Sequence, residues 1–150
     1  NVDSSLPALA TAEKNRILNG FPQDSMENIA DDVFKYLRKC RDAARKYDII
    51  ILDPPKFADM RSRAEDAARG YKDINLLAMK LLNPGGMLFS FSCSGAISPE
   101  FFQKILSDAA TDASKDFEIL EHTFQDIDHT SSLAFPEGLY LKGLICRLIR

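Results

Sequence analysis

Apolar positions along the chain alternate between short compact runs and longer stretches with helical spacing. The most concentrated run is residues 49–52, within the stretch YDIIILDPPKF at 47–57. Four consecutive aliphatic residues are typical of a strand that is buried on both faces, as in a parallel sheet covered by helices. Asp53 is followed by Pro54 and Pro55, which fix the backbone φ, so we expect the chain to leave the sheet directly after this strand.

Helical spacing recurs on both sides of that strand, and several of the segments begin at a serine that can cap a helix. We predict helices over residues 6–18, 33–46, 74–82 and 99–113, with a polar loop or irregular helix over 58–70. Strands are predicted at 2–3, 26–30, 47–52, 87–92, 117–125 and 139–149. The first helix is expected to be capped by Ser4 or Ser5 and to end at Asn19–Gly20.

Strands and helices thus alternate until two strands close the chain. This order predicts a single α/β domain over residues 1–150, with a Rossmann-like, mostly parallel sheet that ends in an antiparallel strand. The chain contains no internal repeat, low-complexity segment or linker.

Composition excludes several classes of protein. A net charge of −3 gives no global basic field for nucleic acid. Three cysteines without C-x-x-C spacing predict neither a disulfide framework nor a zinc site, and the two histidines, isolated from one another and from the cysteines, predict no metal. No apolar run approaches the ~20 residues of a membrane span, and no signal peptide is recognisable. We therefore predict a cytoplasmic protein without membrane contact.

Acidic residues follow three successive predicted strands. They are Asp3, Asp31 or Asp32, and Asp53. In a doubly wound sheet such ends converge on one crevice, where a carboxylate can accept hydrogen bonds from ribose hydroxyls or an exocyclic amine. Acids are also favoured as helix caps, so for each acid taken alone the two interpretations have equal weight.

Cys93 lies in a Ser-Cys-Ser-Gly stretch at the end of the predicted strand 87–92. A thiolate in that position would be a strong nucleophile, and nearby hydroxyls and amides beyond a strand end favour the ionised form. A lone cysteine is more often simply buried, and we interpret Cys40 and Cys146 in that way. The position and flanking turn favour a functional role for Cys93.

A run of cations follows the two prolines. Its members are Lys56, Arg61, Arg63, Arg69 and Lys72. Such a run could bind phosphates, with the ring of Phe57 or Tyr71 stacking on a base. Acidic residues alternate with these cations, however, so a solvated mixed-charge loop is an equally weighted interpretation.

Six motifs taken together resemble a known family. They are VDSS (2–5), DDVF (31–34), DPPKF (53–57), RGYKDIN (69–75), FSCSG (91–95) and PEGLYLKG (136–143). The family is the S-adenosylmethionine-dependent methyltransferases that methylate cytosine C5 in bacterial large-subunit ribosomal RNA. The resemblance covers essentially the whole chain. The D-P-P motif alone is weak, whereas its combination with RGYKDIN and SCSG is much more specific.

The resemblance implies a role for each matching position. Asp3 and Ser4 are expected to hold the cofactor ribose, and Asp32 with the Val33 amide to contact the adenine. Asp53 is expected to border the cofactor and to bind the N3/N4 edge of the target cytosine, and Cys93 to be the nucleophile. Substrate contacts are expected from Pro54, Pro55, Lys56, Phe57 and Arg69. The implied cofactor is S-adenosylmethionine and the implied partner is ribosomal RNA; a homodimer is a further hypothesis.

Two parts of the family pattern have no counterpart in the 150 residues. They are the glycine-rich first strand and turn, which hold the methionine end of the cofactor, and a small RNA-binding domain. We therefore expect the chain alone to bind the cofactor weakly or not at all and to be inactive. Three alternatives stay open: a methyltransferase acting on a base amino group through D-P-P, a small-molecule methyltransferase, and a non-catalytic piece that binds RNA or dimerises.

Overall fold

The computed structural model describes residues 1–57 and 64–150, and these form two compact units. The first unit is Asn1–Ala43 and the second is Ala44–Arg150.

The first unit contains two short parallel strands and two helices, with a 3-10 turn at Gln23–Ser25. In chain order they are β1 (Val2–Asp3), α1 (Leu6–Leu18), β2 (Ile29–Ala30) and α2 (Val33–Asp42). Ser5 caps α1 by accepting a hydrogen bond from the Ala8 amide at 3.3 Å, and Gly20 follows the helix at φ +70°. The cap and the glycine stop are therefore confirmed. Strand β2 is shorter than the predicted 26–30.

Local spacing was a poorer guide to the buried side of α1. Leu9 is its buried residue, whereas Leu6 and Ile17, which the spacing put on the same apolar side, are exposed. The helix has only a weak apolar face, because alanines and polar residues occupy most of its other positions.

The second unit is a four-stranded sheet with two long helices. Its elements are β3 (Tyr47–Leu52), α3 (Ala64–Leu81), β4 (Leu82–Ser92), α4 (Pro99–Ala113), β5 (Phe117–Phe124), a 3-10 turn (Pro136–Gly138) and β6 (Lys142–Leu148). The strand order is β3-β4-β6-β5, with β3 parallel to β4 and β6 antiparallel to both of its neighbours. Strands β3, β4 and β5 thus share one direction and the last strand runs against them, as predicted.

Several predicted boundaries were wrong. Helix α2 ends at Asp42 rather than at 46, and strand β6 is Lys142–Leu148 rather than 139–149. Helix α3 begins at Ala64 rather than at 74, so residues 64–70 of the segment predicted as a loop or irregular helix are helical; residues 58–63 lie outside the described part of the chain. Alanines at 64, 67 and 68 are strong helix formers, and Glu65 and Asp66 favour a helix N-terminus. Strand β4 begins at Leu82 rather than Met87, because Leu82 pairs with Tyr47 before the register shifts.

The prediction that β3 is buried on both faces was also wrong. Leu52 is buried, but the side chains of Ile49 and Ile51 are 56% and 66% exposed. Burial alternates in the same way along β4, where Leu88 is buried and Phe89 is partly exposed. Helix α3 contacts β3 and β4, α4 contacts β6, and the two helices contact each other, so within this unit they cover one face of the sheet. A run of aliphatic residues does not reveal which of its two faces meets a helix.

Cys40 and Cys146 are both buried, which confirms that they are packing residues. Burial raises the pKa of the Cys146 thiol from the ordinary 9.0 to about 11. Between these values the unfolded chain loses the thiol proton while the folded chain keeps it. The free energy of unfolding therefore falls as pH rises through this window.

We expect this thiol to cost about 2–3 kcal/mol of stability between pH 9 and 11, at about 1.4 kcal/mol per pH unit. The measurement is urea unfolding at several pH values, comparing the protein with Cys146→Ala, whose profile should be flatter in this window. Burial lowers the pKa of Lys142, so this lysine makes the free energy of unfolding rise with pH. Both proteins carry that lysine, so its contribution cancels in the comparison. Parallel profiles for the two proteins would contradict the prediction.

Candidate active site

The carboxyl ends of β3 and β4 lie side by side, because the two strands are parallel neighbours and Leu52 pairs with Ser90. Asp53 follows β3 by one residue, and Cys93 follows β4 by one residue. Asp53 is exposed and Cys93 is half-buried. A carboxylate and a thiol therefore leave adjacent strands at the same edge of the sheet, both within reach of solvent.

Two sequence motifs dock together beside this edge. The ring of Phe57, from DPPKF, packs edge-on against Tyr71, from RGYKDIN, with the ring centroids 4.7 Å apart and the planes at 69°. Gly70 favours this packing, because a Cβ at that position would lie 3.2 Å from the Phe57 ring, which is a tight contact. Pro54 is buried beneath the turn, whereas Lys56 is exposed.

Tyr71 has no exposed surface, and its ring also packs edge-on against Phe102 of α4 at 5.6 Å. The expectation that the Tyr71 ring could stack on a base was therefore wrong. Helix α3 starts earlier than predicted and turns this residue into the core. The Phe57 ring is half-buried and keeps some exposed surface.

The hydroxyl of Tyr71 lies under the candidate site. Burial raises the pKa of the phenol; the nearby Ser92 hydroxyl partly offsets this, and the negative charges of Cys93 and Asp53 raise it further. The hydroxyl nevertheless has no partner with true hydrogen-bond geometry among the described residues. Tyr71 therefore keeps its proton at neutral pH.

Two members of the predicted cationic run form ion pairs with acidic residues. Arg69 is exposed and pairs with Asp66 at 3.6 Å on its own helix. Lys72 pairs with Asp112 of α4 at 2.8 Å, and this hydrogen bond raises the pKa of Lys72. The mixed-charge interpretation therefore describes both Arg69 and Lys72, while Arg61 and Arg63 lie outside the described residues.

The predicted cofactor residues lie in the first unit. The Asp3 carboxylate follows β1 and accepts a hydrogen bond from the Ser5 amide at 2.7 Å, beside the exposed Ser4. Asp32 caps α2 by accepting from the Lys35 amide at 2.9 Å. Val33 is the first residue of α2, where an amide has no acceptor within the helix. Carboxylates and a helix-terminal amide are suitable partners for the ribose and adenine of S-adenosylmethionine.

Asp31 is committed to other contacts. It accepts from the Asp32 amide at 2.9 Å and pairs with Lys39 at 2.7 Å, and the Lys39 hydrogen bond is the main cause that lowers the pKa of this carboxyl. Of the two acids left open by the sequence, Asp32 is the better candidate for a ligand. The convergence of Asp3, Asp32 and Asp53 on one crevice stays a prediction.

Sequence reasoning assigned no role to Lys142, which lies in the PEGLYLKG motif. Its side chain is buried, and its ammonium donates to the carbonyl oxygens of Ser94 and Ile97. The sequence feature that could have indicated a role for Lys142 is its position directly before the apolar run GLIC. A charged side chain at the start of a buried strand needs buried hydrogen-bond partners.

Other features of the described residues lie apart from this edge. A cavity of about 520 Å³ between the end of α4 and strands β5 and β6 is lined by neither Asp53 nor Cys93. Within residues 1–57 and 64–150, no group of three His, Cys, Asp or Glu side chains is arranged to hold a metal ion. None of the helices in these ranges has the length and apolar character needed to cross a membrane.

A family model described as S-adenosylmethionine-dependent methyltransferase matches residues 1–135, which is most of the chain. The chain therefore belongs to the S-adenosylmethionine-dependent methyltransferases. S-adenosylmethionine is the cofactor of this family, so the predicted cofactor is confirmed at the family level.

Two curated relatives are similar over nearly the whole chain. The ribosomal RNA large subunit methyltransferase I of Klebsiella pneumoniae (strain 342) is 51% identical over 149 residues, 99% of this chain and 37% of that protein. The protein of the same name from Shewanella frigidimarina (strain NCIMB 400) is 51% identical over 148 residues, again 99% and 37%. The chain thus spans little more than a third of the length of these relatives.

A solved structure, that of SMU.776 complexed with SAH, has a TM-score of 0.81 at 20% sequence identity. The match covers 97% of this chain and 38% of the other. It confirms the predicted α/β fold class.

Proposed function

We propose that the full-length protein methylates cytosine C5 in large-subunit ribosomal RNA, with Cys93 as the nucleophile and Asp53 binding the target base. The observation that carries this proposal is the exit of Asp53 and Cys93 from adjacent parallel strands. The substrate class is supported by the ribosomal RNA methyltransferases that share 51% of aligned residues with this chain.

The reaction needs a nucleophile because cytosine C5 is not itself reactive enough to take a methyl group. The Cys93 thiolate adds to C6, so that an Sγ–C6 bond forms and electron density moves to C5. Asp53 acts as an acid at the N3/N4 edge: it donates a proton to N3 as the addition places negative charge on the ring, and it takes this proton back when the adduct breaks down. The thiol is half-buried and the carboxylate is exposed, so both groups can be reached from solvent.

The cofactor supplies the methyl group from its sulfonium to C5. The C5 proton then leaves, and the electron pair of that bond expels Cys93 by breaking the Sγ–C6 bond. The thiolate is regenerated, so the cysteine is not consumed. A base in folded RNA has to be splayed out of its stack to reach such a pocket.

A second candidate function is methylation of a base amino group. The D-P-P motif favours it, because an acid followed by two stiff prolines can hold an exocyclic amine without a thiol. A small-molecule methyltransferase and a non-catalytic RNA-binding or dimerising role are further alternatives. Of these candidate functions, the C5 mechanism is the one that requires the Cys93 thiol as a nucleophile.

Trapping on RNA that contains 5-fluorocytosine tests the proposal. After methyl transfer to 5-fluorocytosine, C5 carries fluorine in place of hydrogen, so there is no C5 proton to remove. Release of the cysteine is therefore blocked, and a covalent protein–RNA adduct should accumulate when cofactor is present. We expect the adduct with the full-length protein and with the packing-cysteine variant Cys146→Ala, but not with Cys93→Ala. An enzyme that methylates unmodified RNA yet forms no adduct would refute the C5 mechanism.

A further inference from the structure

Lys142 is a lysine with only 5% of its surface exposed, at the first position of β6. Every second residue that follows it on the strand is buried and apolar: Leu144, Cys146 and Leu148. Burial of an ammonium is unfavourable unless hydrogen bonds and charges compensate for the lost water. The contacts of Lys142 therefore need a specific explanation.

Both hydrogen bonds of the ammonium are with the turn at 94–97, which directly follows the candidate nucleophile. The Lys142 ammonium donates to the Ser94 carbonyl at 2.5 Å and to the Ile97 carbonyl at 2.8 Å. The turn is also closed on itself, since the Ile97 amide donates to the Ser94 carbonyl at 3.2 Å. The Ser94 amide donates to the Ser92 hydroxyl at 3.3 Å. Lys142 thus ties β6 to the turn that follows Cys93.

The charge on Lys142 has no carboxylate partner among the ion pairs of the described residues. Burial lowers the pKa of Lys142, and the negative charge of Cys93 opposes this by raising it. The geometry places this charge close to the nucleophile, because the ammonium contacts the carbonyl oxygen of Ser94, the residue directly after Cys93. A positive charge near a thiol is a general means of favouring the thiolate. The pairing of Lys142 with Ser92 across β6 and β4 holds the lysine one residue from the nucleophile.

We propose that Lys142 is a positioning residue for Cys93, which fixes the turn at 94–97 through two carbonyl oxygens and supplies the positive charge that favours the thiolate. This inference deepens the proposed function and rests on it for the role of the thiol. The nucleophile then depends on a lysine that follows it by about fifty positions in the chain.

The test measures the rate at which iodoacetamide alkylates Cys93 in the full-length protein at neutral pH, with the modified peptide resolved by mass spectrometry. Lys142→Met keeps most of the length of the side chain but removes its charge, and should slow alkylation about tenfold, as expected for loss of an opposite charge beside an ionised group. Lys142→Arg should stay within about threefold of the unchanged protein, since it keeps the charge. The control Lys104→Met removes an exposed lysine that pairs with Asp108 on α4 and should have no effect.

A purely structural lysine would give the opposite result. Loss of its two hydrogen bonds would loosen the turn and expose Cys93, so that alkylation would become equal or faster in Lys142→Met and overturn the proposal. If Lys142→Met does not fold, Lys142→Gln keeps a neutral donor for the carbonyls and should still slow alkylation. Equal rates in Lys142→Gln and the unchanged protein would also overturn it.

Alkylation requires neither RNA nor cofactor, so this test is independent of the adduct experiment. Slower alkylation in Lys142→Met together with no fluorocytosine adduct would reject the C5 mechanism and retain the link between Lys142 and Cys93. An adduct together with unchanged alkylation in Lys142→Met would retain the C5 mechanism and reject the link between Lys142 and Cys93.

Discussion

Replacing Cys93 with alanine is expected to lower methyl transfer by the full-length protein by roughly 10³-fold or more, as is typical when an enzyme loses its nucleophile. In the proposed mechanism, nothing adds to C6 without the thiolate, and C5 stays unreactive towards the methyl donor. Cys93→Ser should be almost as slow, because a hydroxyl is far less ionised than a thiol at neutral pH. Incorporation of a labelled methyl group into ribosomal RNA measures the loss.

The matched control for Cys93→Ala is Cys146→Ala, which removes a buried thiol far from the strand ends. It should keep most of the turnover at a temperature where the variant is folded. Unfolding curves show whether each variant is folded, and cofactor binding should be retained in Cys93→Ala. Undiminished turnover in Cys93→Ala would favour amino-group methylation, in which the D-P-P motif acts without a thiol.

Replacing Gly143 with alanine is expected to lower the free energy of unfolding by about 1–3 kcal/mol, the usual cost of forcing an extra group into a packed site. Gly143 pairs with Phe91 on one side and Thr123 on the other. A Cβ at this position would collide with the Phe91 ring and the Thr123 hydroxyl, closer than non-bonded atoms approach. The glycine is needed because side chains from both neighbouring strands, Phe91 and Thr123, lie where its Cβ would be.

Gly95→Ala is the matched control, since a Cβ there would have no heavy atom within 4 Å. Urea unfolding of both variants should show a loss for Gly143→Ala and little change for Gly95→Ala. Equal stabilities would mean that Phe91 and Thr123 move aside without cost.

The residues at the strand ends were predictable because parallel strands follow a simple geometric rule. An acid after β3 and a cysteine after β4 must lie at the same edge if the two strands are parallel neighbours, and they are. Helix caps were predictable for a similar reason, since Ser5 and Ser98 each contact an amide only three residues away.

The burial of particular side chains was less predictable. The aliphatic run of β3 suggested two covered faces, but the exposed Ile49 and Ile51 show that α3 and α4 cover one face within this unit. Tyr71 was interpreted as part of a cationic loop, and its burial follows from an earlier start of α3 and from contacts with Phe57 and Phe102. These contacts join residues that lie 14 and 31 positions from Tyr71 in the chain.

Periodicity and short-range chemistry were therefore enough to establish the alternation of strands and helices, the helix caps, and the positions of Asp53 and Cys93 at strand ends. Only the tertiary structure decided that β6 inserts between β4 and β5 and thereby brings Lys142 to the Cys93 turn. The physical reason is that caps and strand periods depend on neighbours within a few residues. The partners of a buried charge depend on which strands pair, and strand pairing is a property of the whole sheet.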